Sequence, residues 1–257
     1  MINLMECDRD VVEGYRHAAR RQFWLDYDGS LVPFAPNPES AVPSPALLHL
    51  LKQLSDDSRN QVVIISGRDK TSLDKWLGSL PVCLVAEHGA YYRDHGSWML
   101  FEQTSTAWKS RALPYLKALC FHFEGSFIEE KDFSVVWHFR QLDKPLWPED
   151  QLAILNVLRS IIQEDDNATV YSEAAAFEIR SRGMDKGRFL RSGPWYDATL
   201  EFGLVLGDGQ TDEDLFMQAP AGFFTINVGR DQNSAARYSL PAQADVVPFL
   251  ARLANPR

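Results

Sequence analysis

The sequence predicts an α/β fold, a parallel sheet core with helices on both faces, into which a smaller α+β module is inserted. Short, wholly apolar runs recur along the chain, and each ends in a polar or glycine-containing turn. Between them lie segments whose apolar residues fall at helical spacing. Near residue 106 this rhythm gives way to strands of alternating polarity, and it returns near residue 184. Strand–helix–strand order implies parallel pairing with right-handed crossovers.

Taken in order, residues 9–20 carry Val11, Val12, Tyr15, Ala18 and Ala19 at helical spacing. A buried strand follows at Phe23-Trp24-Leu25, running into Asp26-Tyr27-Asp28-Gly29. Pro33, Pro36, Pro38, Pro43 and Pro45 mark an extended loop over its end. Ser44 then Pro45 read as the N-cap and first position of a helix with Leu47, Leu48, Leu50, Leu51 and Leu54 inward. Val62-Val63-Ile64-Ile65 is a second strand, ending at Ser66-Gly67-Arg68. A helix with Leu73, Trp76, Leu77 and Leu80 inward leads to a third strand at 82–86, ending at Glu87-His88-Gly89.

The inserted module reads as αββαββ. It has helices at 107–119 and 149–163, an antiparallel pair at 126–131 and 133–140, and strands near 168–172 and 176–180. In the strand at 133–140, Phe133, Val135, Trp137 and Phe139 share one face, and Ser134, Val136, His138 and Arg140 the other. A helix at 184–191, a strand at Leu204-Val205-Leu206, a helix from about Thr211, a strand at 223–228 and a helix at 245–254 complete the core. The expected division is 1–106 and 182–257 for the core and 107–181 for the insert.

The formal net charge of −9 argues against a nucleic-acid partner, which would want a basic face. An anionic substrate would then need locally placed cations. Cys7, Cys83 and Cys120 are odd in number and far apart, so no disulfide framework is expected and a reducing compartment is. No apolar run approaches membrane-spanning length and the N-terminus is unlike a signal peptide, so a cytoplasmic protein without a membrane partner is expected.

Four chemistry-bearing pieces fall at or just beyond the carboxyl ends of the core strands: Asp26 with Asp28, Ser66, Lys186, and Asp208 with Asp212. Open α/β sheets place ligands there. The combination suits attack on a phosphate ester. One carboxylate can act as nucleophile and a second can move the leaving-group proton. A Ser hydroxyl and a Lys ammonium can hold phosphoryl oxygens. A divalent metal with oxygen ligands would offset the charge, since two carboxylates about 4 Å apart repel by roughly 4 kcal/mol at an effective dielectric of 20.

Each piece has a plainer reading when taken alone. Asp26 and Asp28 could simply cap a turn. Ser66-Gly67-Arg68 could be a helix-capping turn, and Lys186 a solvated lysine. The acids from Asp208 to Asp214 could be a helix start capped by Thr211 or Asp212. That loop lacks the glycine and closing glutamate of an EF-hand, and Gly207-Asp208-Gly209 is not a dinucleotide fingerprint.

Together, Leu25 to Leu31, Ser66-Gly67-Arg68, Ala86 to Ala90, Lys186-Gly187 and Gly207 to Phe216 resemble the haloacid dehalogenase superfamily of aspartate-nucleophile phosphatases. The insert adds Ile128 to Lys131, Trp137 to Arg140 and Phe177 to Arg180, and with these the chain resembles the trehalose-6-phosphate phosphatase family over nearly its whole length. The resemblance implies a haloacid-dehalogenase-like Rossmannoid core and an α+β cap that closes over the substrate. It implies Asp26 as nucleophile, Asp28 as general acid/base, and Ser66 and Lys186 on the phosphoryl group. Mg²⁺ would be held by Asp26, the Asp28 backbone carbonyl and Asp208, with Asp212 in direct or water-mediated support. Glu129, Lys131 and Glu178 match positions that hold sugar hydroxyls; Arg68, His138 and Arg140 are further substrate-binding candidates. For His138 and Arg140, a purely structural place on a polar sheet face fits equally well.

Two residues depart from the family pattern: Ser30 stands where Thr is usual, and Gly209 where a second Asp is frequent. The implied reaction is Mg²⁺-dependent hydrolysis of trehalose 6-phosphate to trehalose and inorganic phosphate. A phosphatase for a sucrose, mannosylglycerate or glucosylglycerol ester differs only in the cap. A silent trehalose-6-phosphate-binding regulator would be expected to lack the nucleophile or a metal acid. The leading helix and cap motifs look most like the phosphatase half of bifunctional proteins, so a trehalose-6-phosphate synthase is a candidate partner for an expected monomer.

Overall fold

A computed structural model describes residues 1–6, 8–163, 167–173, 175–229 and 233–254. The chain divides into two compact units, Met1–Phe101 with Asp185–Arg257, and Glu102–Met184. The insert read from the sequence lies within the second.

The first unit opens with β1 (Ile2–Asn3), α1 (Arg9–His17) and β2 (Arg21–Asp26). It continues through α2 (Pro45–Asp56), β3 (Asn60–Ile65), α3 (Lys70–Leu77), β4 (Cys83–Ala86), β5 (Tyr91–Arg93) and β6 (Met99–Leu100). The second unit carries α4 (Lys109–His122), β7 (Phe127–Glu130), β8 (Ser134–His138), α5 (Pro148–Ile162), β9 (Ala168–Glu173) and β10 (Ala176–Ser181). The chain then completes the first unit with α6 (Lys186–Ser192), β11 (Phe202–Gly207), α7 (Gln210–Gln218), β12 (Phe224–Val228), β13 (Tyr238–Leu240) and α8 (Val246–Ala254).

The first unit's sheet runs β1-β13-β12-β11-β2-β3-β4-β5-β6 among the described residues. It is parallel from β1 to β4, and β5 and β6 add an antiparallel edge. Every residue of β2 is buried, as a central strand covered on both faces requires. Its side chains alternate between two cores. Phe23 and Leu25 join residues of α1, α2, α3 and α8, including Val11, Leu50, Leu73 and Phe249. Trp24 joins Phe189, Leu190, Leu215 and Phe216 of α6 and α7. Helices therefore cover both faces.

The β5–β6 edge and the short β1 and β13 carry too few residues for any periodicity to register. His95, in the turn between β5 and β6, takes a left-handed φ of 51°.

The chain leaves β2 toward β3 and β4 on one side, and from β11 turns to β12 and β13 on the other. This reversal beside β2 is where open sheets bind ligands. Register levels the strand ends there: Asp26 lies opposite Ile65, and Leu25 opposite Leu206. Ser66 and Asp208 follow within two residues of those pairs.

The second unit has an antiparallel sheet in the order β7-β8-β10-β9. Val135, Trp137, Phe177 and Ile179 share a core with Leu116 of α4 and Leu158 of α5. The opposite face is polar: Glu129, Val136, Glu178 and Tyr171 form one cross-strand row. Arg140 does not share that face. β8 ends at His138, opposite Phe127 at the start of β7, and Arg140 lies exposed in the following turn.

Cys83 and Cys120 are thiols, and Cys7 lies outside the described residues. Among the described residues, no helix is long and apolar enough to cross a membrane.

Candidate active site

Asp26 closes β2 and is 3% exposed. The chain then folds tightly: the Gly29 N–H donates to the Val32 carbonyl (2.7 Å), and the Val32 N–H to the Tyr27 carbonyl (2.9 Å). Gly29 takes φ +80°, and a Cβ there would collide with the Asp208 carboxylate, so only glycine fits. The Ser30 hydroxyl donates to Asp208 Oδ1 at 3.3 Å, so this side chain brings a hydroxyl onto the carboxylate.

Lys186 is the first residue of α6, and the Asp185 side chain caps that helix by accepting from the Arg188 N–H at 2.6 Å. The Lys186 ammonium donates to Asp26 Oδ1 at 2.5 Å and to Asp212 Oδ1 at 2.8 Å. The adjacent Gly187 lets α6 touch α7, since a Cβ there would run into the Asp214 carbonyl. Neither Thr211 nor Asp212 caps α7. Gly209, in extended conformation, is the N-cap, and Asp212 reaches back from the third helical position. Its Oδ2 accepts from the N–H groups of Asp208 (3.1 Å) and Gly209 (3.0 Å).

Asp26, Asp208 and Asp212 thus each place a carboxylate oxygen within 4.8 Å of the others. Burial first, then the negative charges of Asp212 and Asp28, push Asp26 up to about 7 against the pull of Lys186. Burial and the charges of Asp26 and Asp212 push Asp208 up to about 9. Burial opposes the charge on Lys186, but Asp212 and Asp26 outweigh it and raise the ammonium above its usual range. Three carboxylates face one ammonium, and among the described residues the buried Asp26 Oδ2 has no hydrogen-bond partner. An all-oxygen group short of positive charge, with an unsatisfied carboxylate oxygen, fits a hard divalent cation.

Ser66 follows β3 and is 1% exposed; its hydroxyl accepts from the Arg68 N–H at 3.1 Å. Two successive left-handed residues, Glu87 (φ 49°) and His88 (φ 57°), brace this loop. Their N–H groups donate to the carbonyls of Arg68 and Ser66, each at 2.9 Å. Such backbone costs about 1 kcal/mol or more per residue and persists where the surroundings enforce it. Nothing in the letters Glu-His announces it; only the following Gly89 hints at a turn. Asp28 stands apart from the three clustered carboxylates. Both its oxygens accept from Arg68, from Nε at 2.7 Å and from Nη2 at 2.6 Å.

The second unit gathers a separate polar group. Glu129 Oε2 lies 2.8 Å from His138 Nε2, and its Oε1 lies 3.3 Å from Lys131 Nζ. Burial would raise the Glu129 carboxyl, but Lys131 and His138 hold it down at about 2. Glu178 is 5% exposed in the middle of β10, in the same cross-strand row as Glu129.

The trehalose-phosphatase family model matches residues 24–243. A trehalose-phosphatase of Zygosaccharomyces rouxii is 34% identical over 231 residues, covering 81% of this chain and 26% of that protein. A bifunctional trehalose-6-phosphate synthase/phosphatase of Thermoproteus tenax is 33% identical over 216 residues, covering 84% of this chain and 29% of that one. The chain thus spans less than a third of the length of these relatives. The solved C-terminal domain of the Candida albicans trehalose-6-phosphate phosphatase superposes with a TM-score of 0.89 at 29% identity, over 96% of both chains. The chain belongs to the trehalose-phosphatase family.

Proposed function

We propose that this chain hydrolyses trehalose 6-phosphate to trehalose and inorganic phosphate, with Mg²⁺, through an aspartyl-phosphate. The observation that carries the chemistry is Lys186 bridging the buried carboxylates of Asp26 and Asp212 beside Asp208. Family membership supports the substrate.

In this reading, Asp26 attacks phosphorus in line with the sugar oxygen, and the P–O bond to the sugar breaks as the aspartyl-phosphate bond forms. Asp28 gives the leaving oxygen its proton. It then takes a proton from the water that attacks the acyl-phosphate, and Asp26 is released with inorganic phosphate. Ser66 and Lys186 hold the phosphoryl oxygens. A divalent cation held by Asp26, Asp208, Asp212 and the Asp28 carbonyl would supply the positive charge that lets a phosphate dianion approach an anionic nucleophile, and its oxygen ligands suit Mg²⁺.

Glu129, Lys131 and Glu178 bind the sugar. Carboxylates accept from hydroxyls and an ammonium donates to them, so the set suits a polyol. The bifunctional relative supports a trehalose-6-phosphate synthase as partner. Phosphate release from a panel of sugar phosphates with Mg²⁺, with Asp26→Asn as control, tests the reading. Preference for trehalose 6-phosphate is expected; turnover of another ester alone would replace the substrate and leave the chemistry.

A further inference from the structure

We infer that Arg68 is a positioning residue for Asp28 rather than a ligand of the substrate. The inference rests on the phosphatase reading above, in which Asp28 handles the leaving-group proton.

The guanidinium meets the carboxylate fork to fork, through Nε (2.7 Å) and Nη2 (2.6 Å). Two parallel bonds fix the plane of a carboxylate as well as its place. The fork stands on an aromatic shelf. Its central carbon lies 4.6 Å from the Trp76 ring and 5.4 Å from the Tyr27 ring. Those rings stack on each other with centroids 5.7 Å apart and planes within 5°. The shelf is anchored in turn: Trp76 belongs to α3, and the Tyr27 hydroxyl donates to the Ala41 carbonyl at 2.9 Å. The Arg68 backbone is tied too, its N–H to Ser66 Oγ and its carbonyl to the Glu87 N–H. The Arg68 side chain is only 9% exposed, against 30% for Asp28. The partner that meets incoming molecules is therefore the acid, not the arginine.

This arrangement answers a problem set by the sequence. Asp28 is two residues from Asp26, and three carboxylates already short of positive charge repel it, so without a partner nothing would fix where its side chain lies. Arg68 fixes the place and orientation of this fourth carboxylate beside the cluster while leaving it partly open. A general acid matters most when the departing oxygen is a sugar alkoxide, and least when it is p-nitrophenolate, which leaves without help. Loss of Arg68 should therefore resemble loss of Asp28 and depend on the leaving group.

The test measures kcat and KM for wild type, Arg68→Met, Arg68→Lys, Asp28→Asn and the Arg68→Met/Asp28→Asn double variant, on the full chain with Mg²⁺. The substrates are the sugar phosphate the wild type prefers and p-nitrophenyl phosphate. For Arg68→Met, the loss in kcat on the sugar ester should exceed that on p-nitrophenyl phosphate by about tenfold or more, within the range general acids contribute. Arg68→Lys, which keeps the charge on the shelf but not the fork, should restore only part of it and carries the test if Arg68→Met does not fold. Adding Arg68→Met to Asp28→Asn should cost less than about twofold more, because the two act as one unit. Equal losses on both esters, a rise in KM with kcat kept, or multiplying effects in the double variant would overturn the inference. A wild type that prefers a sugar phosphate other than trehalose 6-phosphate would overturn the substrate alone; one that cleaves no ester would overturn both readings.

Discussion

Lys186 Nζ and Asp26 Oδ1 are 2.5 Å apart, although 160 residues separate them in the chain, and both side chains are almost wholly buried. The second contact of the ammonium, to Asp212, makes it the charge that two buried carboxylates share. Removing one partner of a buried ion pair leaves an uncompensated charge. Lys186→Met should therefore lower stability on the order of 3 kcal/mol at pH 8. The loss should shrink at pH 5, where Asp26 takes up a proton. Urea unfolding at the two pH values, in EDTA, checks it. Phosphate release should fall at least about a hundredfold, since in the proposed mechanism the variant also loses a donor to the phosphoryl group.

Asp26 gives a prediction of opposite sign. Its carboxyl is raised to about 7 in the fold, above the ordinary value of 3.8. The folded chain therefore binds more protons at Asp26 than the unfolded one between those pH values, so this group's contribution to stability is full below about pH 4 and is lost as pH rises through about 7. Asp208, raised to about 9, extends the decline. Asp26→Asn removes one of the repelled charges. Without metal, it should melt at a higher temperature than wild type above pH 7 and show a flatter pH dependence, while phosphate release is lost. A variant less stable than wild type at pH 8 in EDTA would mean the charge cluster is not under strain.

The same charges predict how a cation stabilises the protein. Binding to the folded state alone raises stability by mass action. Because the carboxylates must be deprotonated to bind, Mg²⁺ should raise the melting temperature more at pH 8 than at pH 5. EDTA should abolish phosphate release and added Mg²⁺ restore it. Calorimetric melts with and without Mg²⁺ at both pH values give the readout; an equal shift at each would point to binding elsewhere.

Much of the architecture around this cluster was legible in the sequence. Apolar runs of strand length, each ending in a polar or glycine-containing turn, placed β2, β3, β4 and β11, and parallel order then brought Asp26, Ser66 and Asp208 to one edge. What letters could not carry was side-chain pairing. The sequence offered Arg68 as a substrate contact and Trp76 as an inward face of α3, and nothing in the spacing of Asp28, Arg68 and Trp76 says that they stack. The reach of Asp212 back to the Asp208 and Gly209 amides was hidden for the same reason, because acids are common in any first helical turn. Arg140 was misplaced because strand periodicity continues past His138, whereas the ladder ends where β7 begins.

In the proposed function, Glu178 serves substrate binding and takes no part in the chemistry. It lies on the second unit, away in sequence from every carboxylate of the Asp26 cluster, at the centre of a polar sheet face. Glu178→Ala should raise KM for trehalose 6-phosphate by about tenfold or more, the loss of one charge-assisted hydrogen bond or two. Its effect on p-nitrophenyl phosphate should be far smaller. Equal losses on both esters would make Glu178 a structural residue.

Glu129 ties the polar face of the second unit to acid stability. Burial alone would raise its carboxyl, but Lys131 and His138 hold it at about 2, below the ordinary 4.5. The sign is that of a depressed acid: the stabilisation is present above about pH 4.5 and lost as pH falls toward 2. Allowing for the quarter of the side chain that meets solvent, the group contributes on the order of 2 kcal/mol at neutral pH. Glu129→Gln keeps the shape but not the negative charge that Lys131 and His138 face. It should unfold at lower urea than wild type at pH 7, and the two should converge as pH falls below about 3. Because the glutamine still donates and accepts hydrogen bonds, KM for trehalose 6-phosphate should rise less than in Glu129→Ala. Urea midpoints measured across pH 2.5 to 7 decide it: a constant gap between variant and wild type would show that the carboxylate's charge is not what Lys131 and His138 stabilise.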